Sequence, residues 1–127
     1  CGAANFSHAL EADVVGIDHN RASIQAAQSL GRHDYRLGSE GEFVRAIEEK
    51  PWDAILLDPP RTGAMAIMQA LAESNASRIV YISCDPATLA RDLAGLIQAG
   101  YRLAEVRLVD MFPQTAHQET MMRLERE

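Results

Sequence analysis

The apolar residues of this chain fall into short continuous runs separated by longer segments of mixed polarity. The clearest runs span residues 13–18, 54–58 and 78–83, and each ends in a polar residue. Apolar runs of this length, bounded by turn-forming residues, are typical of strands that are covered on both faces of a parallel sheet. We therefore predict three buried strands.

The segments between these runs have helical features. Residues 21–30 are rich in Ala and Gln, follow Asn20 as an N-cap and stop at Gly31. Further helices are predicted at residues 43–49, 64–73 and 87–99. Because Pro59 and Pro60 can neither continue a strand nor begin a helix at once, a loop is predicted after the second strand.

The last part of the chain has a different pattern. Residues 101–109 alternate imperfectly between apolar and polar positions, with one register slip, and predict a long strand. Residues 110–117 predict a loop, and residues 119–124 predict a final strand with no helix before it. Residues 35–37 are compatible with a short edge strand.

Strands that alternate with helices indicate parallel βαβ units and a doubly wound α/β sheet, here as one domain over residues 1–127. Ligands of such sheets bind at the carboxyl ends of the strands. Asp18, Asp58 and Cys84 all fall at strand ends, so we expect them to share one rim of the sheet.

The composition narrows the kinds of function that this chain could have. The net charge is −6, from 12 basic and 18 acidic residues, which argues against a basic nucleic-acid-binding surface on this segment. The sequence has no signal peptide and no transmembrane run, and its 2 cysteines lack metal-ligand spacing, so we expect a reducing cytoplasm, no membrane partner and no metal. Because the chain starts at Cys1 without Met or a preceding strand, we expect it to be a fragment of a longer protein.

Cys84 is the first candidate for chemistry. It follows a strand and precedes a helix, whose N-terminal partial charge favours a thiolate, and Arg91 lies one turn into that helix. Asp85 opposes a thiolate unless it caps the helix. The alternative is that Cys84 is a small apolar core residue.

The acidic residues suggest a cofactor-binding site and a general base. Gly2 lies in a turn ahead of Asp18, and this arrangement suits an adenosine cofactor, because the carboxylate could accept hydrogen bonds from both ribose hydroxyls. A plain βα turn and a solvated acid are equally compatible with the sequence. Asp58 begins a rigid Pro-Pro loop, which could position a nucleobase or an amine, or could only shape the rim of the sheet. Glu119 opens a strand of apolar residues, where partial burial suits a general base, or it is an edge-strand acid in water.

Three stretches then identify a family. Residues 57–61 (LDPPR), 83–92 (SCDPATLARD) and 110–119 (DMFPQTAHQE) closely resemble the RNA 5-methyluridine methyltransferases, which use S-adenosylmethionine to methylate uracil C5 in tRNA or rRNA. The resemblance covers nearly the whole chain as the C-terminal catalytic domain, and the DMFP form is more similar to the rRNA members. It implies a Rossmann-like class I methyltransferase fold, a mostly parallel sheet with helices on both faces, a C-terminal antiparallel strand and a truncated first strand.

The resemblance also implies roles. Cys84 matches the nucleophile that adds to uracil C6, and Glu119 matches the base that removes the C5 proton. Asp58 matches an acid near the cofactor and target base. The matching cofactor contacts are Asn5, Asp18, directed towards the ribose, and Ser39, near a further contact.

Several positions depart from the family pattern. Asp85 replaces an Asn beside the thiol, and Ala4 replaces a Gly in the cofactor turn. Arg61, which is part of the resemblance, stands where amino-directed methyltransferases have an aromatic residue, and this counts against amino-directed chemistry. The family's N-terminal RNA-binding barrel has no counterpart in these residues, which accounts for the acidic balance. We expect weak or absent methylation by these residues alone, and completion of the sheet by the missing N-terminal segment or another chain.

Two other hypotheses stay open. One is a catalytically silent domain that only binds RNA or a protein partner. The other is an amino-directed methyltransferase on the same fold, which an N-methylated product would reveal. A covalent adduct with 5-fluorouridine RNA would instead favour the uracil-C5 enzyme.

Overall fold

The computed structural model describes residues 10–109 and 119–127. The chain divides into two compact units, the first ending at Glu49 and the second spanning Lys50–Glu127. Among the described residues, no helix has both the length and the apolar character needed to cross a membrane. One domain over residues 1–127 remains a prediction.

The first unit contains a parallel βαβ arrangement. Its elements are β1 (Val15–Asp18), α1 (Arg21–Gln28), β2 (Asp34–Leu37) and α2 (Glu40–Glu49). The strands β1 and β2 pair in parallel. Asn20 caps α1 by accepting a hydrogen bond from the Ser23 amide at 3.0 Å, as predicted. Ile24 and Ala27 of α1 pack with Tyr35 in a small buried core, so the apolar face of the helix lies on the strand.

The second unit is built on a four-stranded sheet. Its elements are β3 (Ala54–Leu57), a 3-10 turn (Met65–Ile67), α3 (Met68–Glu73), β4 (Arg78–Ser83), α4 (Pro86–Gln98), β5 (Arg102–Val109) and β6 (Glu119–Glu125). The strand order is β3-β4-β6-β5. β3 and β4 are parallel, whereas β6 is antiparallel to both of its neighbours, as predicted for the C-terminal strand.

One face of this sheet carries the core of the second unit. Ile79 and Tyr81 on β4 lie opposite Leu124 and Met122 on β6, and the Tyr81 hydroxyl donates to Asp92 of α4. This bond shows that α4 covers that face. The fully buried side chains of the unit are Leu71, Ile79, Tyr81, Leu89, Leu96, Tyr101 and Leu124. Burying each leucine or isoleucine contributes about 2 kcal/mol.

The predicted elements are all present, with shifted ends. The helix predicted from residue 43 begins at Glu40, because Glu40 and Glu42 in its first turn complement the helix dipole. The helix predicted at 64–73 opens with a 3-10 turn. The register slip predicted in β5 is confirmed by an irregularity between Leu103 and Glu105.

Candidate active site

The segment between β4 and α4 is short, and hydrogen bonds hold the residues on both sides of Cys84. The Ser83 hydroxyl accepts from the Asp85 amide at 3.0 Å and donates to the Asp85 carbonyl at 2.9 Å. The Asp85 carboxylate accepts from the amides of Ala87 (2.9 Å) and Thr88 (3.2 Å). The prediction that Asp85 caps the helix is therefore confirmed, and its charge is directed at the helix N-terminus.

Cys84 lies inside this connection as a free, half-buried thiol. It is the first residue after β4 and lies two residues before the start of α4. Both of its chain neighbours are held by the bonds just described, so the backbone that carries the sulfur has little freedom. This is the setting that a nucleophile at a strand end requires.

Glu119 is brought to Cys84 by strand pairing. The antiparallel ladder between β4 and β6 runs over six consecutive pairs and ends at Ser83 opposite Thr120. Cys84 directly follows Ser83 and Glu119 directly precedes Thr120, so the pairing brings the two residues to the same end of the ladder. Glu119 is half-buried and also pairs with Val109 of β5.

Asp58 lies at the same edge of this sheet. It follows Leu57, which pairs in parallel with Tyr81, so the carboxyl ends of β3 and β4 are adjacent. Asp58 is exposed and begins the loop at residues 58–63. The geometry thus brings Cys84, Glu119 and Asp58 to one end of the second unit, as the sequence predicted for Cys84 and Asp58.

The loop is fastened to α4. The Thr88 hydroxyl donates to the Arg61 carbonyl at 3.0 Å, and Arg91 Nη2 donates to the Thr62 carbonyl at 2.9 Å. Arg91 also forms two hydrogen bonds with Asp92 Oδ1, from Nε at 3.0 Å and Nη2 at 2.9 Å. The hydrogen-bond partners of Arg91 are therefore the loop and Asp92, and its contribution to the field at Cys84 stays a prediction.

Asp92 is a buried carboxylate that sequence reasoning missed. It accepts from the Tyr81 hydroxyl at 2.6 Å and from the Ala64 amide at 2.8 Å. The sequence carries a signal for this residue, because Asp92 has the helical spacing of the buried residues Leu89, Leu93 and Leu96 of α4. A charged side chain is rarely placed on such a buried face without partners. Burial, and then the hydrogen bond to Asp92, raise the pKa of the Tyr81 hydroxyl well above its usual range.

The residues predicted to contact a cofactor lie in the first unit. Asp18 ends β1, and its Oδ1 accepts from the Asn20 amide at 2.8 Å and lies 3.7 Å from His19 Nδ1. Ser39 is exposed directly before α2, and its carbonyl accepts from the Phe43 amide at 3.2 Å.

Some of the predicted site residues lie outside the described residues or in the other unit. Gly2 and Asn5, like the motif at residues 110–118, lie outside the described residues. A common rim of Asp18 with Asp58 and Cys84 stays a prediction, because Asp18 belongs to the other unit. In residues 10–109 and 119–127, His, Cys, Asp and Glu form no group suited to a metal ion.

Solved structures establish the fold of the chain. Magnesium protoporphyrin IX methyltransferase (ChlM) from Synechocystis PCC 6803, with bound SAM, matches with a TM-score of 0.73 at 16% identity, over 100% of this chain and 67% of that one. An rRNA methylase from Streptococcus thermophilus matches with a TM-score of 0.67 at 17% identity, over 98% and 81%. The chain has the α/β fold of the SAM-dependent methyltransferases, as predicted.

Sequence comparison is more specific. The chain is 40% identical over 133 residues to the 23S rRNA (uracil(1939)-C(5))-methyltransferase RlmD of Chromohalobacter salexigens, covering 99% of this chain and 28% of that protein. It is 41% identical over 139 residues to the RlmD of Psychrobacter arcticus, covering 98% and 27%. The chain thus spans less than a third of the length of these relatives. Residues 39–127 match the family model described as tRNA (Uracil-5-)-methyltransferase. The chain belongs to this uracil-5-methyltransferase family, the one that its motifs predicted.

Proposed function

We propose that the chain is the catalytic part of an enzyme that transfers a methyl group from S-adenosylmethionine to C5 of a uridine in 23S rRNA. The observation that carries the proposal is the pairing of β4 with β6, which brings Cys84 and Glu119 to the same end of the ladder. A thiol and a carboxylate at one site are what addition at C6 and proton removal at C5 need. The rRNA substrate, rather than tRNA, is supported by relatives at 40–41% identity that are named for it.

In this proposal Cys84 supplies the nucleophile. Its thiolate sulfur adds to C6 of the uracil ring, and C5 gains the electron density of an enolate. C5 then forms a bond to the methyl carbon as the bond from that carbon to the sulfonium breaks. Glu119 takes the C5 proton, the C5–C6 double bond forms again, and the sulfur leaves by elimination. The base must be unstacked to reach the sulfur.

S-adenosylmethionine would supply the electrophilic methyl group. Asp18 suits its ribose, because it ends β1 and a carboxylate at the carboxyl end of a strand can accept hydrogen bonds from ribose hydroxyls. Ser39 precedes α2, whose N-terminal end favours polar ligand groups. Gly2, Asn5 and Asp58 complete the proposed set, and in the resemblance Asp58 matches an acid near the cofactor and the target base.

The edge strands of the two sheets bear on whether a further strand is added in the longer protein. Among the described strands, β1 pairs only with β2 and β3 only with β4. Every residue of β3 is apolar, yet Leu56 is 42% exposed, whereas apolar strands of parallel sheets are normally covered on both faces. These features support completion of the sheet by a segment or chain outside the described residues. In the longer protein, the amides of Ala54–Leu57 should exchange with solvent more slowly than in this chain alone.

The test uses the full-length protein and an rRNA fragment with 5-fluorouridine at the target position. Fluorine at C5 cannot leave as a proton would, so the enzyme should be trapped as a covalent complex through Cys84. Mass spectrometry should locate the adduct on the peptide that contains Cys84, and Cys84→Ala should abolish it. RNA binding without an adduct would support a silent binding domain, and an N-methylated base in the product would support amino-directed transfer.

A further inference from the structure

We propose that Asp92 is a positioning residue that fixes the loop at residues 58–63, and with it Asp58, against the helix that follows Cys84. This inference rests on the proposed function for its catalytic consequence, but the contacts that carry it are independent of that function. Asp92 is hydrogen-bonded to Tyr81, Ala64 and Arg91, none of which is placed in the proposed catalytic set, so its effect would pass through other groups.

Asp92 joins three separate segments of the second unit. Its side chain is buried, and the residue is only 2% exposed. It accepts from the Tyr81 hydroxyl on β4, from the Ala64 amide just after the loop, and twice from Arg91 on its own helix. These four bonds fill the capacity of a carboxylate, which accepts about four. A buried charge is costly unless it is paired and bonded in this way.

The partners of Asp92 extend the attachment along the loop. Arg91, held by the carboxylate, donates to the Thr62 carbonyl, and the neighbouring Thr88 donates to the Arg61 carbonyl. Removing the charge of Asp92 would therefore release Ala64 directly and Thr62 through Arg91. Thr88 is also bonded to the Asp85 cap, so the attachment reaches the segment that carries Cys84.

Gly63 shows how closely the loop fits. Its φ is +83°, and its amide donates to the Pro60 carbonyl at 2.9 Å to close a turn. A Cβ at this position would lie 2.6 Å from Arg91 Nη2 and 2.7 Å from Asp92 Oδ2. Only glycine has both the backbone freedom and the size for this position. The backbone of the loop at Gly63 therefore lies directly against the side chains of Arg91 and Asp92, as the positioning role requires.

The first experiment measures loop order without reference to activity. Asp92→Asn keeps the shape of the side chain but replaces one acceptor oxygen with an NH2 group, which faces donors on every side. We expect the Gly63 amide, whose bond lies within the loop, to exchange with solvent at least about tenfold faster in the variant. The amides of β6 should be unchanged. Equal protection of Gly63 in both proteins would overturn the inference, whatever the enzyme does.

The second experiment measures the consequence for catalysis in the full-length enzyme. At saturating RNA, the maximal rate of adduct formation should fall roughly ten- to hundredfold in Asp92→Asn, with less change in the RNA concentration at half-maximal rate. The matched control is Tyr101→Phe, which removes a buried hydrogen bond to the Ala76 carbonyl in the same unit but away from the loop.

The outcomes distinguish the positioning role of Asp92 from the proposed function of the enzyme. If both variants lose rate only in proportion to their loss of stability, Asp92 is a structural residue and the inference is wrong. If the wild-type enzyme forms no adduct while Gly63 still loses protection in Asp92→Asn, the positioning holds and the proposed function is wrong.

Discussion

The guanidinium of Arg126 stacks over the ring of Tyr101, with its central carbon 4.2 Å from the ring centroid. The same group donates to the carbonyls of Ala72 (3.0 Å) and Ala99 (3.1 Å), and to that of Ser74. These carbonyls lie at the C-terminal ends of α3 and α4, where helix dipoles concentrate negative charge. One cation thus ties two helices to the end of β6.

Replacing Arg126 should therefore destabilise the second unit. Arg126→Ala leaves carbonyls of both helix ends without their charged donor and removes the cation–π contact. We expect the free energy of unfolding in urea to fall by about 2–3 kcal/mol. The control is Arg78→Ala, which breaks an exposed ion pair with Glu125 and should cost under about 1 kcal/mol. Equal losses would show that the helix-end contacts contribute little.

Glu119→Gln should separate the two halves of the proposed reaction. Without a carboxylate to remove the C5 proton, sulfur addition and methyl transfer can proceed but elimination cannot. The full-length variant should therefore accumulate a covalent methylated complex with unmodified RNA, visible on a denaturing gel. Glu125→Gln, at the far end of β6, should turn over without accumulation. Normal turnover by Glu119→Gln would remove Glu119 from the role of base.

Asp85 has two effects that substitution can separate. Asn is as good a cap as Asp, so Asp85→Asn should change stability by less than about 0.5 kcal/mol, whereas Asp85→Ala should cost about 1 kcal/mol. Asp85→Asn also removes a negative charge next to Cys84, so alkylation of Cys84 by iodoacetamide at neutral pH should be a few times faster. An unchanged alkylation rate would mean that the helix amides neutralise the charge of Asp85 at the sulfur.

Alkaline pH should destabilise the protein through Tyr81. Its folded-state pKa is raised by burial, so the folded protein retains a proton that the unfolded chain releases above pH about 10. The contribution is fully present below that pH and is lost as the pH rises towards the folded pKa, by at most about 1.4 kcal/mol per pH unit. Urea unfolding between pH 8 and pH 11 should show this slope. Tyr81→Phe should reduce it, and the same slope in both proteins would exclude Tyr81 as its source.

The 127-residue chain alone should methylate RNA weakly or not at all. It spans less than a third of the relatives it matches, and its net charge of −6 opposes binding to a polyanion. The measurement is incorporation of labelled methyl groups into rRNA by this chain and by the full-length protein at equal concentration. Turnover by the chain at a comparable rate would contradict the prediction.

Much of the fold was predictable because its signals are local. The cap at Asn20 and the slip in β5 each depend on a few consecutive residues, and both are found in the structure. The helix after Asn20 ends at Gln28, before the stop predicted at Gly31, where the backbone has a positive φ. The position of Cys84 at a strand end was predictable for the same reason.

The parts that were missed depend on contacts between distant residues. The register of β6 on β4, with Ser83 opposite Thr120, is specified by no residue near either strand end. The role of Arg91 depends on Asp92 and on a loop 29 residues earlier in the chain, so the sequence suggested its charge but not its partners.

The ladder between β4 and β6 also makes the register of two strands a determinant of the candidate site. Because side chains alternate between the faces of a strand, a slip of one residue between β4 and β6 would turn Glu119 to the other face of the sheet. An engineer who redesigns this sheet should therefore leave the six backbone pairs between the two strands untouched.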